Sequence, residues 1–145
     1  MNPLPLALHQ AARRADVAEI KRLVASGVDV NSIDSMRHTA MHTASAWGHL
    51  DVLKTLVALK GNINAKNTEG FTPLAYAARG GHAEAVKTMV VELRANVHAQ
   101  NAENATPLHQ AAAKGHAETV KTLVQVRTVF SARRVCCLWF RKKIK

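Results

Sequence analysis

Eight histidines are the first candidates for chemistry in this sequence of 145 residues. His42 and His49 are seven residues apart, and so are His109 and His116. Neutral imidazole is a common ligand of zinc and other transition metals, so two such pairs raise the question of a metal site. A glycine precedes the second histidine of each pair and interrupts the predicted helix, so the two rings do not share one helical face. We therefore interpret the histidines as structural and predict no bound metal.

Other catalytic signatures are incomplete or absent. The H-x-E triplets that begin at His82 and His116 match one part of a zinc deaminase motif, but the P-C-x-x-C part that must follow is missing. Cys136 and Cys137 are adjacent, which suits neither a zinc site nor a disulfide framework. The sequence also lacks H-E-x-x-H, P-loop, G-x-G-x-x-G and G-x-S-x-G patterns. We predict that the chain is not an enzyme and has no cofactor and no small-molecule substrate.

An internal repeat explains where the histidines fall. Three copies begin at Thr39, Thr72 and Thr106, in steps of 33 and 34 residues, and read TAMHTASAWGH, TPLAYAARGGH and TPLHQAAAKGH. A degenerate fourth copy, LALHQAARRAD, begins at Leu6. A period of this length is the signature of a repeat architecture.

Each copy predicts a helix, a tight turn and a second helix. Thr106 is a good N-cap, Pro107 suits the first helical position, and Gly115 suits a left-handed turn where the short helix ends. The second segment of the same repeat has the helical spacing of a buried face at Ala117, Val120, Leu123 and Val124.

The unit resembles the ankyrin repeat, in its TPLH start, its Gly-His turn, its apolar second helix and its GVDVN exit at Gly27 to Asn31. The resemblance covers roughly residues 4–126. It implies an all-α ankyrin-repeat solenoid of stacked helix-turn-helix units with short β-hairpin fingers. We expect one domain, residues 3–126, with repeats at 3–33, 34–66, 67–100 and 101–126. The resemblance also assigns the TPLH histidines to hydrogen bonds that lock loop to helix.

Several positions depart from the family pattern. Ala15 replaces the turn glycine of repeat one, and Asp16 compensates as a cap for the next helix. Arg37 replaces the glycine at the finger tip of repeat two, where we expect a distorted tip. One residue is inserted in repeat three near 91–94, where we expect a bulge or an extra helical residue. Asn104 at the tip of repeat four is an acceptable substitute for glycine.

The charge of +10 is concentrated at the C-terminal end. Residues 1–126 contain 13 Lys/Arg and 10 Asp/Glu, whereas residues 127–145 contain seven Lys/Arg and no acid. This tail mixes basic and apolar residues, and three interpretations stay open: a cap on repeat four, a disordered segment, or a contact with an anionic membrane, nucleic acid or acidic partner.

The sequence contains no apolar run long enough to span a membrane and no typical signal peptide. We expect an intracellular protein, cytoplasmic or nuclear.

The predicted function is recognition of another protein, and the candidate arginines would suit an acidic segment of that partner. In ankyrin-like stacks the finger tips and first helices line a concave groove, and the resemblance places these candidate partner-binding residues there: Arg13, Arg14, Met36, His38, Trp47, Phe71, Tyr76, Arg79 and Lys114. Trp47 is the most specific of these candidates, because family members usually have a small or polar residue at this position. The alternative function is association of the basic tail with anionic membrane or nucleic acid, with the repeats as scaffold.

The resemblance also suggests a modification. Ankyrin repeats can be hydroxylated at the asparagine of the exit loop, often with a leucine eight residues earlier. Asn31 with Leu23, and Asn64 with Leu56, fit this loose pattern. The simpler interpretation is that both asparagines stabilise their loops.

Overall fold

A computed structural model describes residues 3–129 of the chain. The described residues form eight helices and no β-strand. The first seven are α1 Pro3–Arg13, α2 Val17–Ala25, α3 Ala40–Trp47, α4 Leu50–Ala58, α5 Pro73–Arg79, α6 Ala83–Val91 and α7 Pro107–Ala113. The eighth, α8, covers 117–129. None of the described helices is both long enough and apolar enough to cross a membrane.

The helices form two rows. The inner row consists of α1, α3, α5 and α7, each packed on the next, and the outer row packs α2 on α4 and α4 on α6. In repeats one to three the inner helix also packs on the outer helix of the same repeat. The predicted all-α solenoid of helix-turn-helix units is confirmed.

The core lies between the two rows and continues from repeat to repeat. Small alanines of the inner helices, such as Ala44 and Ala77, are fully buried and allow close packing. Leu53 and Met89 of the outer helices fill the remaining space. Val124, which we expected on the buried face of the last repeat, is 46 % exposed. Its counterparts Val24 and Val57 pack against the core beneath a following repeat, whereas no described repeat follows repeat four.

Backbone geometry at the turns is the same in every repeat, even where glycine is missing. Ala15 has φ 59° and its turn keeps the hydrogen bond from Asp16 N to Ala11 O, at 2.9 Å. Arg37 has φ 61°, and the bond from Asp34 N to His38 O is 3.0 Å, as in the glycine-containing finger of repeat three. The expected distortion at Arg37 was therefore wrong: the arginine itself adopts the left-handed conformation.

The exits of the outer helices use the same conformation. Lys60 has φ 71°, which is the left-handed conformation that favours glycine. The glycine of this exit, Gly61, therefore lies one position after the residue that adopts this conformation. In repeat three the left-handed residue is Arg94, with φ 62°. Ala95 N bonds to Met89 O, six residues back, whereas Gly61 N bonds to Leu56 O, five residues back. The inserted residue thus widens this turn, which confirms the bulge expected near 91–94.

The exit loops are joined to each other by asparagine side chains. Asn31 Oδ1 accepts from Asn62 N at 2.7 Å, and Asn31 Nδ2 donates to Lys60 O at 3.2 Å. Asn64 Oδ1 accepts from Asn96 N at 2.8 Å in the next repeat. The asparagines therefore connect successive loops, which supports the simpler interpretation of their role.

We expect Asn31→Ala to lower the free energy of unfolding by about 1–2 kcal/mol, because it removes two hydrogen bonds between repeats. His98→Ala is the matched control, since His98 holds the equivalent position in repeat three and no side-chain hydrogen bond of His98 is found among residues 3–129. Urea denaturation of both variants measures the difference. Equal stability of the two variants would contradict a role for Asn31 in coupling the loops.

Candidate protein-binding face

His42 joins its own loop to the next repeat. Thr39 N–H donates to His42 Nδ1 at 3.0 Å, so Nε2 carries the proton and donates to Phe71 O at 3.0 Å. Burial lowers the pKa of His42 to about 4, although the bond to the Phe71 carbonyl opposes the shift. The neutral ring is therefore the form that the fold requires. His109 repeats the first of these bonds, from Thr106 N at 3.1 Å, which confirms that these histidines lock loop to helix.

His9 departs from this pattern. Its Nδ1 lies 3.3 Å from Thr43 Oγ1 of repeat two instead of accepting from its own loop. Repeat one begins directly in helix α1, so it has no finger loop for this ring to hold. Burial lowers the pKa of His9 as well.

The turn histidines make a second set of bonds between repeats. His49 Nε2 bonds to Arg13 O at 3.0 Å, and His82 Nε2 bonds to Ala46 O at 2.9 Å. His116 Nε2 bonds to Arg79 O at 3.0 Å. Each ring thus ties the turn of one repeat to the carboxyl end of the preceding inner helix. Among the described residues, no group of three or more His, Cys, Asp or Glu is placed to hold a metal ion.

Asp34, His38 and Tyr76 form a hydrogen-bonded chain. Asp34 Oδ2 lies 3.0 Å from His38 Nδ1, and His38 Nε2 lies 2.8 Å from the Tyr76 hydroxyl. Burial opposes ionisation of Asp34, but hydrogen bonds from His38 and Met36 outweigh it and lower the pKa of this carboxyl. Burial raises the pKa of Tyr76, so the phenol stays protonated and is not an activated nucleophile. The chain of bonds therefore fixes side-chain positions.

Four aromatic rings from two repeats pack around this chain. The centroids of His38 and His42 are 5.6 Å apart, and both rings meet Tyr76 edge-to-face at 5.5 and 5.7 Å. Phe71 meets Tyr76 at 5.9 Å. Edge-to-face contacts at these distances are favourable, and they hold Phe71 and Tyr76 in place on the inner side of the fingers.

Trp47 forms a second aromatic feature at the carboxyl end of α3. Its side chain is 52 % exposed. The Arg13 guanidinium carbon lies 5.4 Å from the ring centroid, and the His49 ring stacks on the indole at 6.5 Å with an interplanar angle of 10°. A cation over an indole face is attracted by the ring quadrupole, so the exposed ring is held in one orientation.

The remaining candidates are separate from these two groups. Arg14, Arg79 and Lys114 are exposed at the ends of the inner helices, and Met36 is 44 % exposed on the finger of repeat two. We call the residues at the carboxyl ends of the inner helices the helix-end ridge; it consists of Arg13, Arg14, Trp47, Arg79 and Lys114.

One set of residues that shapes this face was missed by the sequence analysis. Asp34 Oδ1 accepts from the backbone N–H groups of Met36 and His38, at 2.8 Å each. Asn67 and Asn101 do the same in the next two fingers. These Asx turns make the fingers rigid. The spacing of these three residues, 33 and 34 positions, could have identified them in the sequence.

The fingers also stack on one another. Thr68 N donates to Met36 O at 3.0 Å, and Ala102 N donates to Glu69 O at 3.0 Å. The inner helices and the stacked fingers therefore form one continuous face whose exposed side chains differ from repeat to repeat. A scaffold of this kind, with a uniform framework and a variable face, defines a solenoid repeat protein.

The comparison with known families agrees with this class. A family profile described as ankyrin repeats, in three copies, matches residues 5–67 and 58–133. The chain belongs to the ankyrin repeat family, whose members generally serve as protein–protein interaction modules and are typically not enzymes. A search of curated proteins found no significant match.

Proposed function

We propose that this protein binds a partner protein through the face formed by its inner helices and fingers. The observation that carries the proposal is Trp47, a large apolar side chain that is half exposed and yet contacts the Arg13 guanidinium and the His49 ring. Tryptophan, tyrosine and arginine dominate the energetics of protein interfaces. A ring that is already ordered loses little conformational entropy when a partner packs on it.

The rest of the face supports the same proposal. Phe71 and Tyr76 are partly buried and anchored by the ring contacts, so their accessible edges are also ordered before binding. Met36 supplies an adaptable apolar side chain on the neighbouring finger. Apolar anchors beside exposed arginines suit a partner segment that combines apolar and acidic side chains.

We expect Trp47→Ala combined with Arg79→Ala to weaken binding of a protein ligand by at least about tenfold, or about 1.4 kcal/mol. A suitable ligand is the tightest one selected against the whole chain from a display library, titrated by isothermal calorimetry. Both side chains are exposed, so the melting temperature should change little. Lys21→Ala is the control, because Lys21 is an exposed cation on the outer helix α2. Unchanged affinity of the double variant would overturn the proposal.

The other functional predictions remain open. The tail at 127–145 lies outside the described residues except for Arg127, Thr128 and Val129, so its cap and its membrane or nucleic-acid alternatives stay predictions. Hydroxylation of Asn31 and Asn64 also stays a prediction. Intact-mass measurement of protein isolated from its host cells, followed by peptide sequencing of the two loops, tests for it.

A further inference from the structure

The two rows of helices differ in the charges that they carry. On the inner helices and the residues that directly follow them within residues 3–129, the only Lys, Arg, Asp or Glu side chains are the four cations of the helix-end ridge. The outer helices combine both signs: Glu19, Asp51, Glu84 and Glu118 lie beside lysines or arginines on the same helices. The ridge is therefore a strip of positive charge, and the acid that lies nearest to it along the chain is Asp16, which caps α2.

The ridge cations form two clusters, one on each side of the uncharged helix α3. Arg13 and Arg14 lie at the end of α1, and Arg79 and Lys114 lie at the ends of α5 and α7. The intervening helix α3 has no charged residue and ends in Trp47. The His82 ring fills the space beside Gly48 and Gly80, where an added Cβ atom would lie 2.8 Å and 2.7 Å from it. The same ring bonds to Ala46 O, so it lies against the carboxyl end of α3.

Packing distances fix the length of this arrangement. Neighbouring packed helices are about 8–10 Å apart, so the ends of α1 and α5 are separated by two such steps, about 16–20 Å. An extended chain advances about 3.3 Å per residue. The two cation clusters are therefore bridged by about five or six residues of an extended segment.

We propose that the ridge recognises an extended protein segment with two acidic side chains about five or six residues apart and an apolar side chain between them. The first acidic group pairs with Arg13 and Arg14, the apolar side chain lies on Trp47, and the second acidic group pairs with Arg79 and Lys114. The inference rests on the proposed function of the same face and specifies the chemistry of its partner.

The distribution of charge favours a short acidic segment over a nucleic acid. A polyanion has a phosphate at every nucleotide, whereas the ridge carries only four cations and the fingers carry exposed Glu69 and Glu103. Two separate carboxylates require only the two cation clusters and leave the fingers free for neutral contacts. Arginine pairs with carboxylate through two parallel hydrogen bonds, which favours this geometry.

Three fluorescein-labelled peptides of equal composition test the spacing. Each contains two glutamates and a central leucine in a serine–glycine background, with the glutamates about two, six or twelve residues apart. We expect the peptide with the intermediate spacing to bind the whole chain at least about fivefold more tightly than the other two, by fluorescence anisotropy at low salt. Equal affinity for the three peptides would overturn the inference.

A charge exchange tests the pairing. Arg79→Glu should weaken the best peptide by about tenfold, and replacing one of its two glutamates with lysine should restore affinity to within about threefold. Lys21→Glu on α2 is the matched control and should have no effect. If Arg79→Glu weakens peptide binding and the lysine-containing peptide does not restore it, the inference is overturned. It is also overturned if the ridge binds an oligothymidine more tightly than any of the peptides. If the selected protein ligand of the previous section still depends on Trp47 in that case, the proposed function stands and only the acidic spacing fails.

Discussion

Glycine at four positions is expected to raise the free energy of unfolding by about 2–4 kcal/mol in total, or about 0.5–1 kcal/mol for each substitution. The four substitutions are Ala15→Gly, Arg37→Gly, Lys60→Gly and Arg94→Gly. Each residue now has a φ between 59° and 71°, a region in which a Cβ atom crowds the following carbonyl. Glycine removes that strain, and the greater freedom that it gives to the unfolded chain offsets only part of the gain.

The side chains at these sites are exposed, so little packing is lost with them. The four sites lie in separate turns of three repeats, and their effects should therefore add. Thermal unfolding followed by circular dichroism should show a rise in melting temperature on the order of 10 °C for the quadruple variant. Gly61 has to stay, since a Cβ atom there would lie 2.8 Å from Leu56 O.

Lys21→Gly is the control for this prediction, because Lys21 is exposed in the middle of α2. It exchanges the same residue types as Lys60→Gly but should lower stability by about 1 kcal/mol, since glycine is unfavourable in a helix. A quadruple variant no more stable than the parent would show that the left-handed residues are not strained.

Acidification from pH 7 to pH 4 is expected to destabilise the protein by up to about 3 kcal/mol through His42 alone. The pKa of His42 is lowered from 6.5 to about 4 in the fold. The unfolded chain therefore binds a proton below about pH 6.5 that the folded chain accepts only near pH 4. Stability is highest above pH 6.5, declines as the pH falls through this window, and has lost the whole contribution once the pH is below about 4.

Urea denaturation at several pH values measures this dependence. His42→Ala should lower stability at pH 7, because it leaves Thr39 N and Phe71 O without their partner, and it should reduce the slope between pH 6.5 and pH 4. Some slope should remain, since burial also lowers the pKa of His9. His98→Ala should keep the full slope, as His98 is exposed. An unchanged slope in His42→Ala would rule out this residue as the source.

The helices and turns of this fold were predictable from the sequence because they depend on neighbouring residues and recur from repeat to repeat. Thr72 and Pro73 begin a helix in the structure as their residue types predict. Asp16 caps α2 through the bond from Glu19 N at 3.0 Å, as its position predicts. Such signals depend on a few neighbouring residues, and the repeat supplies further copies of the main ones.

The rest depended on contacts that the repeat does not determine. Arg37 keeps the finger intact because the Asp34 carboxylate and the stacking of the next finger hold it, and neither effect is visible in one residue type. The position of Arg13 over Trp47 depends on the rotamers of two long side chains from different repeats. The residues of the ridge could be named from the repeat pattern, but the contacts of the His82 ring at the end of α3 required the structure.

The ties between turns and inner helices have a consequence for synthesis of the chain. Each turn histidine bonds to a carbonyl only 36 or 37 residues earlier in the chain, at Arg13, Ala46 and Arg79. Folding of such an array needs no long-range pairing and can proceed from one neighbour to the next. During synthesis, the histidine that bonds to a given inner helix leaves the ribosome as soon as the turn of the next repeat has emerged. The protein can therefore assemble repeat by repeat while it is still being made.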